Sequence, residues 1–131
     1  MFEGKIAASN MLKGKRTEPD YTGVPSVVFT IPELARVGLL EEEAREVGDV
    51  EVSFTDTSGW FSQKRIGETH AGAKIITGKD GKILGAHMFG PEYAELINVF
   101  SLAIKLGLTA AQVKAMPAAY PTGASDLGSM F

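Results

Sequence analysis

Few side chains in this sequence could carry chemistry. There is no cysteine and there are two histidines, His70 and His87. The missing thiols exclude a disulfide framework, a thiolate nucleophile, a CxxC redox pair and any cysteine-ligated metal or iron–sulfur centre within the chain. The histidines stand at no ligand spacing such as HxxxH or HExxH, so no metal site is expected, and each reads as a strand or loop histidine with satisfied hydrogen bonds. Trp60-Phe61 beside Lys64-Arg65 could hold a ligand by cation–π contact, but edge packing is the expected role. No glycine-rich phosphate loop, no nucleophile elbow and no recognisable carboxylate pair is present. The remaining residue types and spacings by themselves name no reaction. An independent small enzyme built on Tyr120 and Asp126 would have neither a cofactor motif nor a nucleophile motif beside them.

The elements that must position these residues are legible in part. Residues 1–23 form an arm with a short helical stretch around Lys5–Leu12 and then turn chemistry at Pro19 and Gly23. Ser26–Thr30, a β-branched run closed by Pro32, predicts a strand. Glu41–Val47 followed by Gly48 predicts a helix with acids at its positive end, but Leu40 is a poor N-cap. Val50, Val52 and Phe54 alternate with polar residues as in a half-buried strand, and a turn is expected at Asp56–Gly59. Lys74–Thr77 and Lys82–Phe89 flank an Asp80-Gly81 hairpin turn. In the second of these strands, strict alternation puts Leu84, Ala86 and Met88 on one face and Ile83, His87 and Phe89 on the other.

Glu92–Gly107 is the longest helix candidate. Tyr93, Leu96, Ile97, Phe100 and Ile104 make one apolar stripe. Ala94, Val99, Leu102 and Leu106 lie outside it, so the helix either sits in the middle of the domain or shows a second apolar side to another chain, and the size of the domain favours the second. Thr109 and Gln112 are a capping box for a short helix ending before Pro117. The tail after it is too apolar to be a solvated end and is expected to dock, with an aromatic-Pro bond at Tyr120-Pro121 in a context that favours cis. Strands and helices in this order describe an α+β domain, a small antiparallel sheet with helices packed on one side.

Composition bounds the function classes. With 131 residues, 44% hydrophobic and 22% charged, the chain is long enough for one domain with a real core. A formal charge of -3, from 13 Lys and Arg against 16 Asp and Glu, lacks the footprint of a phosphate-backbone binder, so nucleic acid is not an expected partner. No apolar run is long enough to span a bilayer, and an acid stands where a signal peptide would carry its basic region. A soluble, cytoplasmic protein is expected.

Six blocks, taken together and in order, resemble the C-terminal dimerisation domain of the pyridine nucleotide–disulfide oxidoreductases, the family of glutathione reductase, dihydrolipoamide dehydrogenase and mercuric reductase. They are Val24–Gly38, Glu41–Ala44, Ala73–Ile76, Ile83–Gly90, Ala94–Ile97 and Tyr120-Pro121-Thr122. The resemblance implies an arm at 1–23 like the end of a FAD domain and a dimerisation domain at 24–131. It implies a homodimer, next to FAD and NAD(P) domains of a parent chain, and the second apolar side of the long helix puts the expected seam at Val99, Leu102 and Leu106. FAD and NAD(P)H would belong to that parent, with neither bound by this chain alone, and the isolated chain is expected to be inactive. Tyr120, Pro121 and Thr122 resemble the segment that approaches the partner's flavin, so they are the candidate cofactor-facing residues.

The family's tail carries a His and, five residues on, a Glu, an acid–base pair serving the partner's active site. Tyr120 stands at the His position and Ser125 at the Glu position. A phenol of pKa about 10 donates a hydrogen bond at neutral pH but accepts a proton poorly. Tyr120 and Asp126 are therefore the candidate catalytic residues, against the alternative that Tyr120 only packs at a seam. Thr30, Pro32, Glu33 and Gly38 are expected to form a strand-to-loop transition that shapes the fold. A competing reading is a stand-alone protein-interaction module that keeps the fold without catalysis.

Overall fold

A computed structural model describes residues 2–14 and 16–131; Met1 and Lys15, both in the 1–23 arm, lie outside the described residues. The elements are α1 (Phe2–Lys13), β1 (Ser26–Val28), β2 (Leu34–Gly38), α2 (Glu41–Val47), β3 (Val50–Asp56), α3 (Phe61–Lys64), β4 (Gly72–Gly78), β5 (Ile83–Phe89), α4 (Tyr93–Leu106) and α5 (Ala110–Lys114). A 3₁₀ segment, Gly123–Ser129, ends the chain. The five strands form one antiparallel sheet in the order β1-β2-β5-β4-β3.

One face of the sheet carries the core. Ala35, Val37, Ala73, Ile75, Ala86 and Met88 meet Tyr93, Leu96, Ile97, Phe100 and Ala103 of α4. The helix stripe read from the sequence is thus the buried one. Ile104 packs at its border while Ala103 takes the central place, because a small residue lets α4 approach the sheet closely. On the opposite face α2 covers one end with Ala44 buried, and Glu41 Oε2 accepts from Lys74 Nζ at 3.0 Å.

Leu40 makes no side-chain cap bond, as its type predicts; the Glu43 carboxylate reaches back and accepts from Leu40 N at 2.7 Å, the other half of a capping box. Thr109 accepts from Gln112 N at 3.3 Å and Gln112 Oε1 accepts from Thr109 N at 2.8 Å, the reciprocal pair expected of the capping box. Both histidines are satisfied: His87 Nε2 lies 3.0 Å from the Leu39 carbonyl and His70 Nδ1 2.8 Å from Thr69 Oγ1.

Three expectations change. The strand expected over Ser26–Thr30 stops at Val28, and the chain bends through a cis Ile31-Pro32 bond. The segment expected to be a strand-to-loop transition resumes as β2, which pairs with both β1 and β5 and lies inside the sheet. Its pattern Leu-Ala-Arg-Val-Gly alternates exposed and buried, but only Val37 of its five residues has the β-branched or aromatic character that announces a strand. In β5 a register irregularity opposite Ile76/Thr77 puts Ile83 in the core with Ala86 and Met88, not beside His87 and Phe89. An inserted residue flips the alternation on one side of it.

Gly38 is the glycine that β2 cannot replace. Its φ is +76°, and a Cβ there would stand 2.2 Å from the Leu84 carbonyl oxygen. That carbonyl also accepts from Leu39 N at 2.9 Å, so the β2–β5 end is closed by backbone contact alone.

Candidate functional site

The tail docks, as its composition predicts. Leu127 and Met130 are fully buried, and Phe131 packs on Phe100 with ring centroids 6.0 Å apart. Lys114 Nζ lies 5.3 Å from the Phe131 ring centre, a cation–π contact that holds α5 to the chain end. Thr122 caps the 3₁₀ segment: its Oγ1 accepts from Ser125 N at 3.3 Å and donates to the Ala119 carbonyl at 2.6 Å. The Tyr120-Pro121 bond is cis.

This docked tail forms one wall of a cleft of about 250 Å³, with α3 and the start of α4 opposite. Tyr120, Pro121, Thr122, Ser125 and Asp126 lie on the tail side, and Phe61, Ser62, Arg65 and Glu92 complete the lining. The structure therefore brings the candidate residues Tyr120, Pro121, Thr122 and Asp126 together around one space. Tyr120 is 80% exposed, so its ring is not packed against its own domain. Asp126 turns away to α3 and accepts from Ser62 Oγ at 2.7 Å. Ser125 stays local, with Oγ donating to the Thr122 carbonyl at 2.5 Å and accepting from Thr122 N at 3.2 Å.

Behind the cleft lies a buried polar cluster that the sequence did not single out. Tyr93, at the start of α4, shares a 2.7 Å hydrogen bond with Thr57 Oγ1 and receives a long one, 3.5 Å, from Gln63 Nε2. Burial pushes the Tyr93 phenol up, an effect that its bonds to Thr57 and Gln63 oppose. Gln63 is itself buried, and its Oε1 has no partner among the described residues. A Thr in a turn and a Gln in a four-residue helix give no sequence signal of a shared partner. Glu92, at the cleft rim, is the one non-glycine among the described residues with left-handed φ, at +63°. The Gly90-Pro91 break gives the nearest hint of that turn.

The expected seam residues divide. Leu102 and Leu106, 57% and 63% exposed, lie on the outer side of α4. Val99 departs from the second stripe and is partly buried against the core. It stands three residues after Leu96, next to Phe100 and four before Ala103, on the shoulder of the buried face.

The first turn of α4 donates its Ala94 amide to the Glu33 carboxylate at 2.8 Å, so that helix N-terminus already has an anionic partner from within the chain. Among the described residues no cluster of three His, Cys, Asp or Glu side chains could hold a metal ion, and no helix is long and apolar enough to cross a membrane.

Comparison with known proteins gives the fold a lineage. A family model described as the pyridine nucleotide-disulphide oxidoreductase dimerisation domain matches residues 24–130. A 19.7 kDa protein in the mercuric resistance operon of Staphylococcus aureus is 42% identical over 130 residues, covering 98% of this chain and 72% of that protein. Dihydrolipoyl dehydrogenase of Bacillus subtilis is 39% identical over 123 residues, 92% of this chain but 26% of the enzyme. Glutathione reductase of Pisum sativum is 33% identical, across 99% of this chain and 24% of the enzyme. The chain thus spans about a quarter of the length of these two enzymes. Among solved structures, the HOCl-induced flavoprotein disulfide reductase RclA of Escherichia coli superposes with a TM-score of 0.87 at 28% identity, over 96% of this chain and 30% of that one. On the family match, the identities and the shared architecture, the chain belongs to the pyridine nucleotide-disulphide oxidoreductases, as their dimerisation domain.

Proposed function

We propose that this chain is the interface domain of a homodimeric FAD-dependent pyridine nucleotide–disulfide oxidoreductase, supplying the subunit seam and part of the wall of the partner's active site. The observation that carries this reading is the outer side of α4, where Leu102 and Leu106 stay exposed while the opposite stripe is buried. Two large apolar side chains one turn apart on a well-packed helix suit contact with another copy. In such a pair the cleft beside Tyr120 would face the partner's flavin and substrate, with FAD and NAD(P)H held by domains outside this chain. Tyr120 would donate a hydrogen bond to an anion there, since a neutral phenol is a poor proton acceptor at neutral pH.

The chain lacks cysteine, so the seam can be probed with a single introduced thiol. Leu102→Cys under mild oxidation should give a disulfide-linked dimer, whereas Lys79→Cys, on the Gly78–Gly81 turn, should not. Equal cross-linking of both variants, or of neither, would count against the seam.

A second reading has one observation in its favour. The 19.7 kDa relative from the mercuric resistance operon is a short protein of which this domain spans 72%. A stand-alone interaction module on the same fold would use the same outer face of α4, without flavin chemistry.

A further inference from the structure

We propose that Ser62 and Asp126 are positioning residues, a latch that fixes the tail segment bearing Tyr120 against α3, and that Asp126 is not a proton carrier. Residues 62 and 126 lie far apart in sequence, yet the Ser62 hydroxyl donates to Asp126 Oδ2 at 2.7 Å in a partly buried setting. A hydroxyl bonded to a carboxylate is among the stronger side-chain hydrogen bonds, and partial burial shields it from competing water.

The latch is anchored on both sides. Asp126 sits inside the 3₁₀ segment, one residue before the fully buried Leu127, so its backbone is tied to the core. Ser62 precedes Gln63, whose buried side chain bonds Tyr93, and Tyr93 in turn bonds Thr57 at the end of β3. Contact thus runs from α4 through α3 to the tail. Tyr120 itself has no such support: it is highly exposed, and among the described residues no hydrogen bond is made by its hydroxyl. Its place in space is set by the segment that follows it, capped by Thr122 and held through Asp126. A carboxylate engaged with α3 is a poor candidate to shuttle protons at Tyr120, which forms no hydrogen bond with it. The consequence for a partner's flavin rests on the reading proposed above; the latch itself does not.

Amide hydrogen exchange on the whole chain, at concentrations where it is monomeric, tests the latch. Ser62→Ala should speed exchange across Gly123–Ser129 by about tenfold or more while β5 and the middle of α4 keep wild-type rates, because only a local opening is made easier. Ser62→Thr keeps a hydroxyl and Asp126→Asn keeps an acceptor oxygen, so both should stay within about threefold of wild type. An unchanged tail in Ser62→Ala, an equal speeding of β5, or a loosening in Asp126→Asn as large as in Ser62→Ala would each overturn the proposal. Leu102→Asp, run alongside, should not alter tail exchange in the monomer. Failure of the seam with the tail pattern intact would then count against the dimer reading alone, and loss of the tail pattern with the seam intact against the latch alone.

Discussion

The Glu33 carboxylate accepts a hydrogen bond from the backbone amide of Ala94 at 2.8 Å, joining the start of β2 to the first turn of α4. The contact serves two purposes. It satisfies a donor that a helix leaves free at its N-terminus, and it places negative charge at the positive end of the helix dipole. Glu92, the preceding cap position, has no side-chain cap bond of its own, so a residue from a distant strand supplies what the local sequence does not.

Glu33→Ala should therefore destabilise the fold by about 1–2 kcal/mol, the usual loss for a removed cap with a charged acceptor. Glu33→Gln should recover part of it, since an amide oxygen can still accept. Urea unfolding of the three proteins checks this; equal midpoints for wild type and Glu33→Ala would show that water replaces the carboxylate.

Gly38→Ala should be more damaging than its single methyl suggests. A Cβ 2.2 Å from the Leu84 oxygen forces the ends of β2 and β5 apart, and φ of +76° is strained for alanine. A loss of roughly 2–4 kcal/mol is expected from strain plus a broken strand end. Gly59→Ala, at a position with open space around it and no positive φ, is the control and should stay near wild type in thermal unfolding.

Tyr93 predicts a loss of stability at high pH. Its phenol is pushed up in the fold by burial. A group raised in the folded state leaves the unfolded chain to lose its proton first, so stability is full below the unfolded tyrosine value of about 10 and falls as pH rises above it. Tyr93→Phe should remove that share of the alkaline slope and, near pH 7, cost about 1–2 kcal/mol because Thr57 loses its buried partner. Urea midpoints at pH 7 and above pH 10 separate the two effects; an unchanged alkaline slope in the variant would assign it to other groups.

How far the sequence alone reaches can be seen element by element. The stripe of α4, the capping box at Thr109 and the docking of the tail follow from local periodicity and capping chemistry, and the structure bears them out; β3 forms where a strand is expected, but Phe54 is exposed instead of lying with Val50 and Val52 on a half-buried side. The strand β2 did not announce itself because Leu-Ala-Arg-Val-Gly gains its strand conformation from neighbours on both sides. Ile83 was assigned to the wrong face because a register irregularity has no residue signature there. At the cleft, the resemblance of the tail marks Tyr120, Pro121, Thr122 and Asp126, but the pairing of Ser62 with Asp126 and of Tyr93 with Thr57 has no such mark: each partner lies dozens of residues away, where no spacing rule operates. Sequence periodicity reports what one element does alone; long-range polar pairs are set by how elements meet.

Sedimentation velocity across a concentration series reads whether the outer side of α4 joins two copies of this chain. Wild type should move from monomer to dimer with rising concentration, because burying Leu102 and Leu106 against another copy removes apolar surface from water at roughly 25 cal/mol per Å². Leu102→Asp should stay monomeric over the same range, with an unchanged unfolding midpoint because residue 102 lies outside the buried stripe. Monomer at all concentrations for wild type, or the same monomer–dimer transition in Leu102→Asp, would contradict the account.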